Sequence, residues 1–434
     1  MMRGAVPTIL EAIGHTPLVK LHRVAADVAA DVYVKCEFLN PAGSTKDRMT
    51  LHLVDQAEKR GALRPGGTIV EATSGNAGAG LAMVAAVRGY KCIFVMPDKV
   101  SAEKIASLRA FGAKVVVCPT AVEADDPRSY LEVARRLAAE TPNAFHADQR
   151  HNPDNAEGHY ASTGPELWEQ IGAELDVFVA CLGTGGTLGG TGRFLRERKP
   201  GIRLVGVQNG GEALDPSAVD PKMLDEVVHV DDKESFLMAR QLVRLEGLCV
   251  GASSGAAVAG ALEYARRTQT KENIVVLVPD GAAKYLSRIF NDDWMRENGF
   301  LEQHPGLGFV SDVLGGKSSE VIVARSIDRV RDVIGRMKAH GISQLPVLEG
   351  NKLLGAVAEV DMLRYLVSGE HSLDSPVGTL AESDYATVAT NTKIELVQSL
   401  LNSARMAIVL DDDARIVGVI TKIDLIDYLA KRAV

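Results

Sequence analysis

Paired cysteines, long apolar runs and an excess of positive charge are all missing from this chain. Its five cysteines, Cys36, Cys92, Cys118, Cys181 and Cys249, are odd in number, widely spaced and never form C-x-x-C. That excludes a disulfide framework and a thiolate zinc site. Most of the five sit in apolar runs such as Val115-Val116-Val117-Cys118, where a buried, structural thiol is expected. No apolar run approaches the roughly 18 residues that span a bilayer, and Met1 to Pro7 lacks the apolar core of a signal peptide. The net charge of -8 argues against a nucleic-acid or anionic-membrane surface. The ten histidines are scattered. His146-Ala147-Asp148-Gln149-Arg150-His151 reads as a polar loop, because no second cluster completes a metal site. From 434 residues of this kind we expect a cytoplasmic protein of two or three domains, without metal, membrane or nucleic acid.

What is present is an alternation. From Ile9 to Leu301, short β-branched runs precede longer amphipathic stretches. Examples are Thr68 to Glu71 before Gly78 to Val84, and Lys91 to Met96 before Ser101 to Phe111. Leu175 to Val179, Arg203 to Val207 and Asn273 to Val278 read as further strands. Strands apolar on both faces, alternating with helices, predict an α/β fold with parallel sheets. Ligands bind such sheets at the carboxyl ends of strands. The character changes after Phe300. Residues 302–316 hold one proline and four glycines and read as a linker. An internal repeat follows: Asp361 recurs as Asp424 and Tyr365 as Tyr428, each 63 positions on. Each copy reads as a helix, two strands and a second helix, and two such copies are expected to pair.

Four loops sit at strand ends. Ser44-Thr45-Lys46-Asp47-Arg48 opens a helix after the turn Asn40-Pro41-Ala42-Gly43. The others are Thr73-Ser74-Gly75-Asn76-Ala77-Gly78, Gly183-Thr184-Gly185-Gly186-Thr187 and Gly251-Ala252-Ser253-Ser254-Gly255. Alone, Lys46 beside Asp47 reads more readily as a solvated surface lysine, and only the other loops reverse that reading. In the first turn of a helix, the positive dipole end and Arg48 are expected to disfavour its ammonium, and a neutral amine condenses with carbonyls. Gly183 to Thr187 is an anion cradle at a helix start. A dinucleotide fingerprint would need glycine where Leu188 stands, and no P-loop lysine follows, so a monophosphate fits better. The Asn76 loop suits a carboxylate or a ring oxygen, and Ser253 could present a hydroxyl to a ring nitrogen.

On His15-Thr16-Pro17-Leu18, the Lys46 segment, the Asn76 loop, the Gly183 loop and Ser253, the first ~300 positions resemble the fold-type-II pyridoxal phosphate β-replacement enzymes. These are cystathionine β-synthase and cysteine synthase. The C-terminal repeat resembles a tandem CBS-domain (Bateman) module. The resemblance implies a catalytic domain over 1–301, a linker over 302–316 and a regulatory module over 317–434. It implies Lys46 as the internal aldimine and as the base that moves the α-proton. It places Asn76 on the cofactor's ring oxygen and Gly183, Thr184, Gly185, Gly186 and Thr187 on its phosphate. Ser253 would face its pyridine nitrogen, and Thr73, Ser74, Ala77 and Gln149 would hold the substrate carboxylate.

The implied reaction is β-elimination from L-serine through an aminoacrylate, followed by addition of L-homocysteine to give cystathionine. The alternatives are a cysteine synthase using O-acetylserine or O-phosphoserine with sulfide, and a catalytically weak adenosine-ligand sensor. Val95 to Lys104 and Leu277 to Asp280 look synthase-like, whereas Thr163 to Trp168 looks like a sulfhydrylase. No haem-binding extension is expected. The family's loop after the strand ending at Val207 looks shortened here, running from Gln208 to Glu212 and on to Pro221. In the repeat, Thr421-Lys422-Ile423-Asp424 has the Thr-x-x-Asp of an adenosine-nucleotide site, and Ala358-Glu359-Val360-Asp361 lacks its hydroxyl. At most one regulatory nucleotide site, at Thr421 and Asp424, is therefore expected, with a purely structural dimerisation role as the alternative, in a homodimer or larger homo-oligomer.

Overall fold

Buried β-branched strands and small-residue helices build the first unit, Met1–Glu302. The structure is a computed structural model that describes residues 5–123, 125–210, 219–302, 306–315, 321–368 and 372–432. Ten strands are β1 (Leu18–Lys20), β2 (Asp31–Cys36), β3 (Thr68–Ala72), β4 (Lys91–Pro97), β5 (Lys114–Cys118), β6 (Ala144–His146), β7 (Val177–Cys181), β8 (Arg203–Asn209), β9 (Glu226–Val230) and β10 (Asn273–Val278). They form a six-stranded sheet, β1-β2-β10-β7-β8-β9, and a four-stranded sheet, β5-β4-β3-β6. Every pairing is parallel except β1 with β2. The expected α/β fold with parallel sheets in two subdomains is what forms.

The helices between strands are α1 (Lys46–Lys59), α2 (Asn76–Arg88), α3 (Ala102–Ala110), α4 (Tyr130–Glu140), α5 (Asp154–Ala161), α6 (Thr163–Ile171), α7 (Gly186–Arg198), α8 (Asp232–Gln241) and α9 (Ala252–Thr268). Val34, Val179, Val205 and Val276 from the large sheet share one core with Ala257, Ala261 and Leu262 of α9. Ile69, Phe94 and Met96 of the small sheet share another with Leu81 and Val84 of α2. A Cβ on Gly190 of α7 would lie 2.0 Å from the Ala156 carbonyl oxygen of α5. The two helices therefore touch backbone to backbone, which only glycine permits.

A buried ionic network fastens α1 to the large sheet. Arg48 donates to both carboxylate oxygens of Glu37 (2.7 and 2.8 Å) and of Glu166 (2.8 and 3.0 Å). Lys35 of β2 joins from the other side of Glu166, and the N–H groups of His15 and Thr16 also donate to that carboxylate at 2.9 Å. Burial alone would raise the Glu166 carboxyl, but Arg48 and Lys35 overcome it and hold it down at about 2.

The second unit, Gln303–Val434, carries two three-stranded sheets. One is Ala324–Arg325, Gln344–Glu349 and Lys352–Ala358. The other is Tyr385–Ala389, Met406–Leu410 and Ile416–Thr421. In each, the first pair is parallel and the second antiparallel, so each repeat gains a strand beyond the two expected. The stretch expected as a linker, 302–316, contains the helix Val310–Leu314. Val310 and Val313 are buried in the core of the second repeat with Ile394, Val409 and Ile420. The glycine content concealed this five-residue helix.

Removing one partner of a buried ion pair leaves the others uncompensated. Glu166→Gln is expected to lower stability by about 3–5 kcal/mol in urea unfolding. The folded carboxyl is depressed below its ordinary 4.5, so its stabilisation is present above pH 4.5 and lost as pH falls toward 2. The variant should lose that part of the acid limb in a stability-against-pH profile.

Candidate active site

Lys46 is the first residue of α1, and the chain before it is tied to the end of β10. The Thr45 N–H donates to the Pro279 carbonyl at 2.8 Å, and Ser44 forms an isolated bridge with Asp280. Ser44 Oγ accepts the Lys46 N–H at 3.3 Å. The lysine is thus presented at the carboxyl end of a parallel strand. Its Nζ donates to Thr184 Oγ1 at 3.1 Å, which brings it to the Gly183 loop. Part of the side chain stays accessible, yet desolvation of the amine pushes its ammonium down to about 8, against an opposing pull from Glu71. The expectation that Arg48 repels this ammonium is corrected. Arg48 is matched by Glu37 and Glu166, so burial depresses Lys46.

The Gly183 loop leads from β7 into α7. Gly185 caps the helix at φ +72° without a side-chain cap, so the first-turn N–H groups of α7 face outward for an acceptor. Gly183 is exposed, Thr184 half-buried, and Gly185, Gly186 and Thr187 buried. Asn155 and His159 of α5 support the loop from behind. Asn155 donates to Thr184 Oγ1 at 2.9 Å and to the Gln149 carbonyl at 2.8 Å, while its own buried Oδ1 has no partner. His159 lies between Thr187 Oγ1 (3.2 Å) and Thr163 Oγ1 (2.9 Å), and burial holds its imidazolium well below the ordinary range. A neutral imidazole therefore orients the Thr187 hydroxyl.

The Asn76 loop joins β3 to α2. Thr73 Oγ1 accepts the N–H groups of Gly75 (3.0 Å) and Gly78 (3.2 Å), so its oxygen shapes the loop and only its proton is left for a ligand. Ser74 is exposed, and Ala77 is buried in the first turn of α2. Asn76 donates to Asp280 at 2.9 Å and accepts from Lys284 Nζ at 2.7 Å, which fixes the direction of its amide. Gln149 follows β6, and its Nε2 reaches the Ala72 carbonyl at 3.4 Å. Ser253 is half-buried at the start of α9, while its buried neighbour Ser254 donates to the Asp280 carbonyl at 3.1 Å. Lys46 and Thr184 meet directly; Asn76 reaches the same strand end through Asp280; Gln149 is joined to Thr184 through Asn155. The shortened loop expected after Val207 falls largely on residues 211–218, outside the described residues. Among the described residues no group of three or more metal-ligating side chains occurs, and His151 simply pairs with Asp148 at 2.9 Å.

Sequence reasoning passed over Glu71, Asn155, His159, Asp280 and Lys284. A signal existed for Glu71, a carboxylate inside the otherwise apolar strand Ile69-Val70-Glu71. Asn155 and His159 carried none, because the loop threonines they support, Thr184 and Thr187, lie 28 to 29 residues away.

In the second unit a cavity of about 320 Å³ is lined by Ser343, Gln344, Gly418, Thr421 and Asp424 among others. The Thr421 N–H and Oγ1 donate to Asp424 at 2.7 and 2.6 Å. Its repeat counterpart Asp361 instead receives Arg405 at 2.7 and 2.9 Å.

Comparison with known proteins gives consistent relatives. The family described as pyridoxal-phosphate dependent enzyme matches residues 9–280, and the CBS domain matches 310–368 and 377–431. Cystathionine beta-synthase of Apis mellifera is 35% identical over 98% of this chain and 91% of its own. That of Saccharomyces cerevisiae is 31% identical over 97% of each. Among solved structures, an O-acetylserine dependent cystathionine beta-synthase from Helicobacter pylori superposes with a TM-score of 0.60 at 36% identity, covering 66% of this chain and 99% of that one. A hydrogen sulfide-producing enzyme from Fusobacterium nucleatum gives 0.61 at 33% identity, covering 65% and 100%.

The residues present fit pyridoxal phosphate. It needs an unprotonated amine for its aldehyde and a helix start for its phosphate. Lys46 and the N-terminus of α7 stand together, and the orphaned Asn155 Oδ1 lies beside them. Thr187→Val is expected to weaken cofactor binding about tenfold, read by fluorescence titration, because one oriented hydroxyl donor is lost. On its sequence, its strand order and this convergence of amine and anion cradle, the chain belongs to the pyridoxal-phosphate dependent lyases of the cystathionine β-synthase family, and it carries a pair of CBS domains.

Proposed function

We propose that this enzyme joins L-serine to L-homocysteine to make cystathionine. The observation that carries the reading is Lys46, whose ammonium is pushed down to about 8 while its Nζ lies 3.1 Å from the anion cradle. A base poised near neutrality is what proton transfer at carbon needs. Bound pyridoxal phosphate supplies the electron sink that acidifies the α-carbon of an amino acid. Lys46 Nζ then takes and returns the α-proton. Gly183 to Thr187 hold the phosphate with backbone N–H groups and the Thr184 and Thr187 hydroxyls. Asn76, its amide fixed by Asp280 and Lys284, donates to the ring oxygen. Ser253 would face the pyridine nitrogen. Thr73, Ser74, Ala77 and Gln149 hold the substrate carboxylate at the start of α2, where the helix favours an anion. In this reading the catalytic domain covers 1–301, and the regulatory module includes the helix Val310–Leu314, which packs into the second repeat.

A second reading, use of an O-acetylated or O-phosphorylated serine, has support in the Helicobacter pylori neighbour, an O-acetylserine dependent cystathionine beta-synthase. Product identification by mass spectrometry decides. The purified enzyme is given serine or O-acetylserine with homocysteine or sulfide. Cystathionine from serine supports the first reading, and activity confined to the activated serine supports the second. Lys46→Ala should abolish turnover with either, and the wild type should show the visible absorption of bound cofactor.

In the second unit we propose that an adenosine nucleotide binds the cavity at Thr421 and Asp424. The carboxylate faces a space of about 320 Å³ and is already oriented by the Thr421 hydroxyl. Asp424→Ala should lower affinity for adenosine nucleotides about tenfold or more by calorimetry, with activity in their absence unchanged.

A further inference from the structure

Asn155 is a buried amide whose two ends are used unequally. It is 3% exposed on α5, and both hydrogens of its Nδ2 are engaged. One goes to the Gln149 carbonyl at 2.8 Å and the other to Thr184 Oγ1 at 2.9 Å. Its Oδ1 is buried without a partner. A carbonyl oxygen only accepts, so the Gln149 carbonyl dictates which end of the amide faces it. The place of the side chain is fixed as firmly. A Cβ on Gly186 would lie 2.0 Å from Asn155 Oδ1 and 2.4 Å from its Cγ, so the amide lies directly against the first residue of α7. The next residue, Ala156, is the one whose carbonyl meets Gly190 of the same helix. An orphaned buried oxygen is costly, and here it accompanies a donor end that is engaged twice.

The consequence falls on Thr184. A hydroxyl oxygen has two lone pairs and one hydrogen. Asn155 Nδ2 takes one lone pair, and Lys46 Nζ, donating at 3.1 Å, takes the other. The hydrogen is left to point away from both nitrogens. Among the described residues nothing accepts it.

We propose that Asn155 is the positioning residue that makes the Thr184 hydroxyl a donor to the anion in the cradle, and that its second hydrogen ties the Gln149 segment to the same loop. One amide then holds the phosphate half and the carboxylate half of the site in register. This inference rests on the reading above, in which Gly183 to Thr187 hold the cofactor phosphate and Gln149 helps to hold the substrate carboxylate. An N–H2 group can only donate, so Asn155 closes one of the directions open to the Thr184 hydrogen. Without it the hydroxyl is free to turn a lone pair toward the anion, which repels where an O–H would bind.

The test is a double-mutant cycle of wild type, Asn155→Ala, Thr184→Val and the two combined. The first readout is affinity for pyridoxal phosphate by fluorescence titration. The second is KM for the amino-acid substrate with cofactor saturating. Each single variant should bind the cofactor about tenfold more weakly, and the combined variant also only about tenfold, because both changes remove the same oriented donor. KM should rise about fivefold or more in Asn155→Ala and by less than about twofold in Thr184→Val, where Asn155 still holds Gln149. Asn155→Asp keeps the shape, but its carboxylate cannot donate. It should bind the cofactor at least as weakly as Asn155→Ala, whereas a residue that only fills space would tolerate it better. The aspartate variant also takes the place of the alanine one, with the same expectations, if the latter does not fold. Additive losses in the cycle, an unchanged KM in Asn155→Ala, or wild-type affinity in Asn155→Asp overturns the proposal. A wild type that takes up no pyridoxal phosphate instead overturns the reading of the cradle.

Discussion

Arg48 is the constraint on which the site depends. Its guanidinium is buried and engages two carboxylates, Glu37 from the end of β2 and Glu166 from α6. Lys35 balances the second carboxylate, so two cations meet two anions and the cluster is neutral. Buried pairs of this kind add little net stability, but their geometry is demanding, because any shift leaves a charge unpaired. That demand fixes the first turn of α1 in rotation and depth. Lys46 lies two residues earlier in the same turn, so its direction toward Thr184 follows from a network that never touches a ligand. The charge near Lys46 that looked like a repulsive neighbour is a structural anchor.

The glycine loops were legible because parallel sheets place loops of this type at strand ends, and because glycine, serine and threonine advertise themselves locally. Lys46, the cradle from Gly183 to Thr187 and the repeat carrying Asp361 and Asp424 could each be read from a few adjacent residues. Asp280 could not. It binds Asn76, 204 positions away, and bridges to Ser44. His159 was hidden for a similar reason, since a histidine on a small-residue helix shows nothing of the threonine it orients. The helix Val310–Leu314 was masked by flanking glycines, although Val310 and Val313 are spaced to face one core. Local chemistry is visible in a sequence, and long-range polar partnership is not.

The two repeats of the second unit show how far equivalent positions can diverge while the fold stays the same. Asp424 accepts from Thr421 and borders a cavity. Asp361, 63 positions earlier, has Ala358 where a threonine would stand, and it is engaged by both a backbone N–H and Arg405. Arg405 is also paired with Asp384, so it joins three segments of the unit. One aspartate therefore works as a structural tie between the repeats, and the other is held at the wall of a space. A duplicated unit retains its packing through its apolar strands and changes its function through a few polar replacements.

The catalytic unit solves a problem of charge with helix starts and burial rather than with many ion pairs. Two helices, α2 and α7, present their N-termini, which favour anions without adding a mobile cation. Lys46 must be neutral to react, and burial keeps it near that state. Such a site would bind its anions well but would resist holding the proton that Lys46 has to carry.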